Sequence, residues 1–123
     1  MAKTSKINLK TILWLAFGLR LILVLISGWH PDLPNHTDWG NRFLIYGSRD
    51  FYEHSIWGVS WPNQPFGSIL LFALIAVIHK FLFNFILFLN HTIPIFPSFI
   101  VPILETNLHP WLVKLPFILA DIG

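Results

Sequence analysis

Residues 12–29 and 66–89 are apolar runs too long and too continuous for the core of a small soluble domain. A polar, aromatic-rich segment separates them and carries Asp32, Asp38, Asp50 and Glu53, four of the six carboxylates. A span needs ~20 apolar residues, so this patterning limits the chain to helices that sit in or on lipid. Composition agrees. Charged residues make up 11% and hydrophobic ones 54%, against roughly 25% charged in soluble domains. There is no cysteine, which removes disulfides and thiolate chemistry. The net charge is +2, and no Lys/Arg cluster resembles a nucleic-acid footprint.

The first apolar run lacks a small-residue cleavage signal and contains Arg20, so it reads as a retained span over 12–29. Lys3, Lys6 and Lys10 precede it and favour a cytoplasmic N-terminus for residues 1–11. Residues 30–65 then form an external loop. Within it, Trp39, Phe43 and Tyr46 fall at i, i+4 and i+7, which predicts a short amphipathic helix over Asp38–Tyr46. Asn35 or Thr37 can cap that helix and Gly47 can end it. Such a helix lies in the membrane interface.

Pro65 opens the second hydrophobic helix, 66–89. His79 and Lys80 sit in its middle, where a charge costs several kcal/mol at the bilayer centre. Residues 90–110 hold no Lys or Arg, unlike a cytoplasmic loop. Both facts favour a helix bent into, or lying along, the outer leaflet over a true crossing. Pro94, Pro97 and Pro102 predict an irregular 90–110 loop, with a further span starting near Trp111 and running through 111–123. That last span has barely begun at Gly123, so the chain reads as the N-terminal portion of a longer protein. The expected fold class is an all-α integral membrane protein: a transmembrane helix, an external loop with juxtamembrane amphipathic helices, a second hydrophobic helix and the start of another span.

Arg20 lies eight residues into the first span, at ~12 Å depth. Asp121 lies at a similar depth, ten residues beyond Trp111. An Arg20–Asp121 ion pair between helices would answer the cost of a buried guanidinium, about 3 kcal/mol or more on insertion scales. The competing reading has Arg20 snorkelling and Asp121 facing a water-filled cavity.

Asp38 is the candidate catalytic residue. A carboxylate at the start of an interfacial helix can take a proton from an incoming hydroxyl, the general-base role. The competing reading is a helix cap or dipole partner. Arg42 and Arg49 suit a lipid-linked phosphate, since guanidinium matches phosphate geometry, or they pair with Asp50 and Glu53. His79 and Lys80 could meet a phosphate or headgroup, with snorkelling the plainer account. His36, Asp38, Asp32 and His54 match no zinc-ligand spacing, so no metal site is expected.

Taken in order, the features form a pattern. A basic tail leads to a span containing Gly18-Leu19-Arg20-Leu21, then His36-Thr37-Asp38-Trp39. Tyr46-Gly47, Asp50-Phe51-Tyr52 and Trp61-Pro62-Asn63-Gln64-Pro65-Phe66-Gly67 follow, and last Leu112-Val113-Lys114-Leu115-Pro116. Over most of residues 10–123 this resembles the N-terminal region of the GT-C membrane glycosyltransferases, which include protein O-mannosyltransferases and aminoarabinose transferases. The resemblance implies a sugar moved from a polyprenyl-phosphate carrier to an acceptor at the extracytoplasmic face. It implies Asp38 as the base, with Arg42, Arg49 and His36 as substrate-binding residues. It also implies membrane lipids and a lipid-linked sugar donor as partners, and room for a divalent cation that no ligand set in the sequence demands. Two features depart from the pattern: Asn63 and Gln64 separate prolines that are usually adjacent, and Trp39 stands where a second acidic residue is common. A complete enzyme of this class has many more spans, so this segment alone is expected to be inactive. The alternatives are a small non-enzymatic integral membrane subunit and a transporter fragment.

Overall fold

The computed structural model describes residues 8–26, 30–53, 61–94 and 96–121. Among them are four α-helices and no strand: α1 (Leu9–Leu25), α2 (Asp32–Asp50), α3 (Phe66–Thr92) and α4 (Ile100–Ala120). His54 and Trp57 lie outside the described residues.

α1 starts at Leu9, ahead of the expected Ile12, because the Asn8 side chain accepts a hydrogen bond from the Lys10 N–H at 3.2 Å. That contact satisfies one of the donors a helix start leaves open. α2 is much longer than the helix expected over Asp38–Tyr46. It begins at Asp32, so Asn35 and Thr37 lie inside it rather than at its cap. Thr37 turns its hydroxyl back onto the Pro34 carbonyl at 2.9 Å, a bond available only within a helix. Gly47 has φ 75° and ψ 177°, and helical geometry breaks there. That backbone region is essentially closed to residues with a Cβ.

α3 is one uninterrupted helix of 27 residues. It is long and apolar enough to cross a membrane, at ~40 Å by helical rise. α4 corrects the expected 90–110 loop: helix begins at Ile100, well before Trp111, and runs through Pro110 and Pro116. Pro102 sits in its first turn, where a missing N–H has no helical acceptor in any case. Pro110 and Pro116 each leave one carbonyl, four residues back, without its helical donor. Apolar residues fill the rest of the segment, so packing carries the helix across these sites.

The core sits where α2, α3 and α4 meet. Trp39, Phe51, Ile69, Phe72, Ile75 and Val113 are buried together, with Leu33, Phe43, Tyr52 and Leu112 against them. The i, i+4, i+7 face read from the sequence is the face α2 turns inward: Trp39 is buried and Phe43 packs edge-on to Phe51 at 5.6 Å. Gly40 lets the helices meet. A Cβ there would fall 2.7 Å from the Phe72 carbonyl carbon. Tyr52 donates its hydroxyl to the Gln64 carbonyl at 3.1 Å, which ties the end of α2 to the start of α3.

α4 lies antiparallel to α1, since Arg20 meets Asp121 while Lys114 meets the carbonyls of Val24 and Ile26. Among the described residues α1 packs on α4 alone.

Candidate functional site

Asp38 occupies the second turn of α2 rather than its start. Its Oδ2 accepts from Arg42 Nε one helical turn on, an i,i+4 ion pair with both side chains about a quarter exposed, 27% and 26%. The hydrogen bond to Asp38, and further on Tyr46, hold the Arg42 guanidinium above its ordinary range. Arg42 therefore serves Asp38 directly. It keeps other N–H donors for a ligand, since a guanidinium carries five. Arg49 stands exposed past the break at Gly47, and its helix segment follows a different course from that of Asp38 and Arg42.

His36 packs rather than reaching outward. Its ring stacks on Phe72 at 4.4 Å and 15°, and lies 6.5 Å from Phe117. Burial pushes its pKa below the ordinary 6.5; Asp32 opposes that shift and His30 adds to it. The imidazole is thus held neutral between α3 and α4.

Two cavities flank α4. One, of about 480 Å³, lies against α1 and is lined by Arg20, Leu23, Val24, Lys114, Phe117 and Ile118. The other, of about 310 Å³, lies against α2 and is lined by His30, Leu33, His36, Val113, Lys114 and Phe117. Lys114 and Phe117 belong to both. Asp38, Arg42 and Arg49 line neither, so the structure separates the Asp38–Arg42 pair from these two spaces.

The structure does bring Arg20 and Asp121 together: Arg20 Nη2 lies 3.5 Å from Asp121 Oδ2. Lys114, read from the sequence only as part of a short motif, has a role the sequence did not signal. Its Nζ donates to the carbonyls of Val24 at 3.4 Å and Ile26 at 3.3 Å. A cation at a helix C-terminus answers both the open carbonyls and the negative end of the helix dipole.

The sequence also gives no hint that His79 meets His109. Their rings stack across α3 and α4 at 4.5 Å and 9°. Neither Nε2 finds a hydrogen-bond partner among the described residues, and the same holds for Trp111 Nε1. The His79 ring lies between helices instead of toward a headgroup. Among the described residues no three His, Asp or Glu side chains converge in a way that could hold a metal ion. No protein family, curated protein or solved structure was found to match this chain.

Proposed function

We propose that this chain is the N-terminal part of a GT-C type membrane glycosyltransferase. The enzyme takes a sugar from a polyprenyl-phosphate carrier and gives it to an acceptor hydroxyl at the extracytoplasmic face. The N-terminus is cytoplasmic, α1 crosses outward, α2 lies at the outer interface and α4 descends. The antiparallel course of α1 and α4 supports that path.

The observation that carries the reading is the Asp38–Arg42 pair. A half-buried carboxylate is held in fixed geometry on an amphipathic helix that packs on the long apolar helix α3. Asp38 takes the acceptor's hydroxyl proton as the acceptor oxygen attacks the anomeric carbon. The bond from that carbon to the phosphate oxygen breaks, and polyprenyl phosphate leaves with the electron pair. Arg42 orients Asp38, and Arg49 and His36 are the further groups of α2 on the donor's side. Confining both substrates to one interface supplies proximity. No step needs a divalent cation.

The test is Asp38→Asn in the longer protein that the reading implies. General-base catalysis contributes about 10²–10⁴-fold, so turnover should fall by that range while folding is kept. Wild-type turnover in the variant removes Asp38 from the mechanism. A second reading, a small non-enzymatic membrane subunit, is favoured by one fact: Asp38 lines neither of the two cavities beside α4. An open reading frame that adds several spans after Gly123 supports the transferase, and a stop codon at that point supports the subunit.

A further inference from the structure

Lys114 is unusual for a cation in an apolar setting. Its ammonium is half-buried and touches only backbone carbonyls, with no carboxylate within ion-pair distance among the described residues. Arg20, on the same cavity wall, is matched by Asp121. The charge left over on this side of the molecule therefore belongs to Lys114. An ammonium carries three donors, and the carbonyls of Val24 and Ile26 take two.

The third donor faces a setting suited to one kind of ligand. Lys114 is the shared wall of the two cavities, about 480 and 310 Å³, within the size range of small-molecule sites. Away from Lys114 the larger cavity is bounded by Leu23, Val24, Phe117 and Ile118. Leu23 and Phe117 are half-exposed on the outside of the helices, so the cavity opens sideways. A narrow apolar space with one uncompensated cation at its end matches an anionic head carrying one apolar chain that leaves laterally. A free anion would leave the apolar wall unused, and a neutral chain would leave the ammonium unanswered.

We infer that the cleft between α1 and α4, ending at Lys114, binds the phosphate and first chain carbons of a prenyl monophosphate. The site is distinct from the Asp38–Arg42 pair. It rests on the proposed carrier chemistry and assigns the carrier's phosphate to Lys114 rather than to Arg42 or Arg49. Phosphate at Lys114 completes the ammonium's hydrogen bonding with a charge-assisted bond. The chain fills the apolar space beside Ile118 and passes over Phe117 into lipid.

The test is direct binding to the full chain in phosphatidylcholine nanodiscs, with farnesyl phosphate, farnesol and inorganic phosphate as probes. Farnesyl phosphate is expected to bind at least tenfold more tightly than either of the others. Lys114→Gln should bring its affinity down to that of farnesol, and Lys114→Arg should keep most of it. Lys114 also holds the end of α1, so a second variant leaves it in place: Ile118→Trp fills the cleft and should weaken farnesyl phosphate and farnesol alike. Equal affinity for farnesol and farnesyl phosphate overturns the site, as does inorganic phosphate binding as tightly as the prenyl ester. Unchanged affinity in Ile118→Trp also overturns it. The measurement contains no transfer step. It can fail while Asp38-dependent transfer persists, and it can succeed on a chain that transfers nothing.

Discussion

α1 and the α2–α3–α4 unit are both apolar, yet they are held by different forces. In the three-helix unit, Trp39, Phe51, Ile69, Phe72 and Val113 are almost wholly buried and touch one another. In α1 only Val24 is buried, while Trp14 and Leu15 are 71% and 68% exposed. What fastens α1 is polar: an ion pair at Arg20 and two lysine hydrogen bonds at its C-terminal end. The contrast teaches that hydrophobic sequence does not by itself indicate a core. In water the face of α1 would be a large liability. Against lipid it costs nothing, because acyl chains are as apolar as leucine and helix association rests on packing and polar contacts instead.

The largest effect should come from the centre of the three-helix unit. Phe72 is buried, stacks on His36 and belongs to the cluster with Trp39. Phe72→Ala should cost about 3–5 kcal/mol, read as a lowered unfolding midpoint in micelles. The matched change on α1, Leu15→Ala, should leave the midpoint nearly unmoved. Equal losses from the two would erase the distinction between the regions.

A pair of glycines sharpens the same contrast at smaller scale. A Cβ at Gly40 collides with the Phe72 backbone, whereas one at Gly18 meets nothing within 4 Å. Gly40→Ala should force α2 and α3 apart at a cost of about 1–3 kcal/mol. Gly18→Ala should be neutral or stabilising by up to about 1 kcal/mol, since alanine is the better helix former. Thermal unfolding of the two variants side by side decides the matter.

The site where α2 meets the other helices also responds to pH. Burial lowers the His36 pKa, so the unfolded chain binds this proton more readily than the folded one. Stability then rises with pH through the window between the lowered folded value and the ordinary 6.5. Above that window the contribution is complete, and below it the fold carries the penalty in full. Asp32 and His30 act on the same imidazole in opposite directions. Unfolding midpoints measured from pH 7.5 downward should fall for the parent, and His36→Phe should flatten that part of the curve. A parallel fall in the variant would assign the dependence to other groups.

These expectations show what the sequence can and cannot disclose. The face of α2 was legible because Trp39, Phe43 and Tyr46 repeat at helical spacing, and period is a local property. The extent of α2 was not legible, because Pro34 and Gly47 both look like breakers. Pro34 is tolerated early in the helix, and Gly47 breaks the geometry only locally before Asp50. The 90–110 segment misled for the same reason, since Pro102 and Pro110 are punctuation in a sequence but can be carried inside a packed helix. Among the site residues, Asp38 and Arg42 could be paired by their i,i+4 spacing. The stacking of His79 on His109 and the capping of α1 by Lys114 depend on how distant helices dock, and no local pattern encodes either. Arg20 and Asp121 are the instructive intermediate case, because depth along a helix is local arithmetic even when the partner is far away.

That pair carries the smallest effect and the clearest test of how α1 is held. The two side chains are 39% and 66% exposed and 3.5 Å apart, so in micelles water screens them and their coupling should be about 0.2–1 kcal/mol. A double-mutant cycle isolates that term. Arg20→Ala and Asp121→Ala should each loosen α1 slightly, and the double variant should lose less than the sum. Exchanging the charges, Arg20→Asp with Asp121→Arg, should restore part of the loss. In bilayer nanodiscs the coupling should grow, because a lone charge at that depth is costlier than in a micelle. Zero coupling in both media, or a charge exchange no better than either single change, would mean that α1 is fastened by Lys114 and the lipid alone.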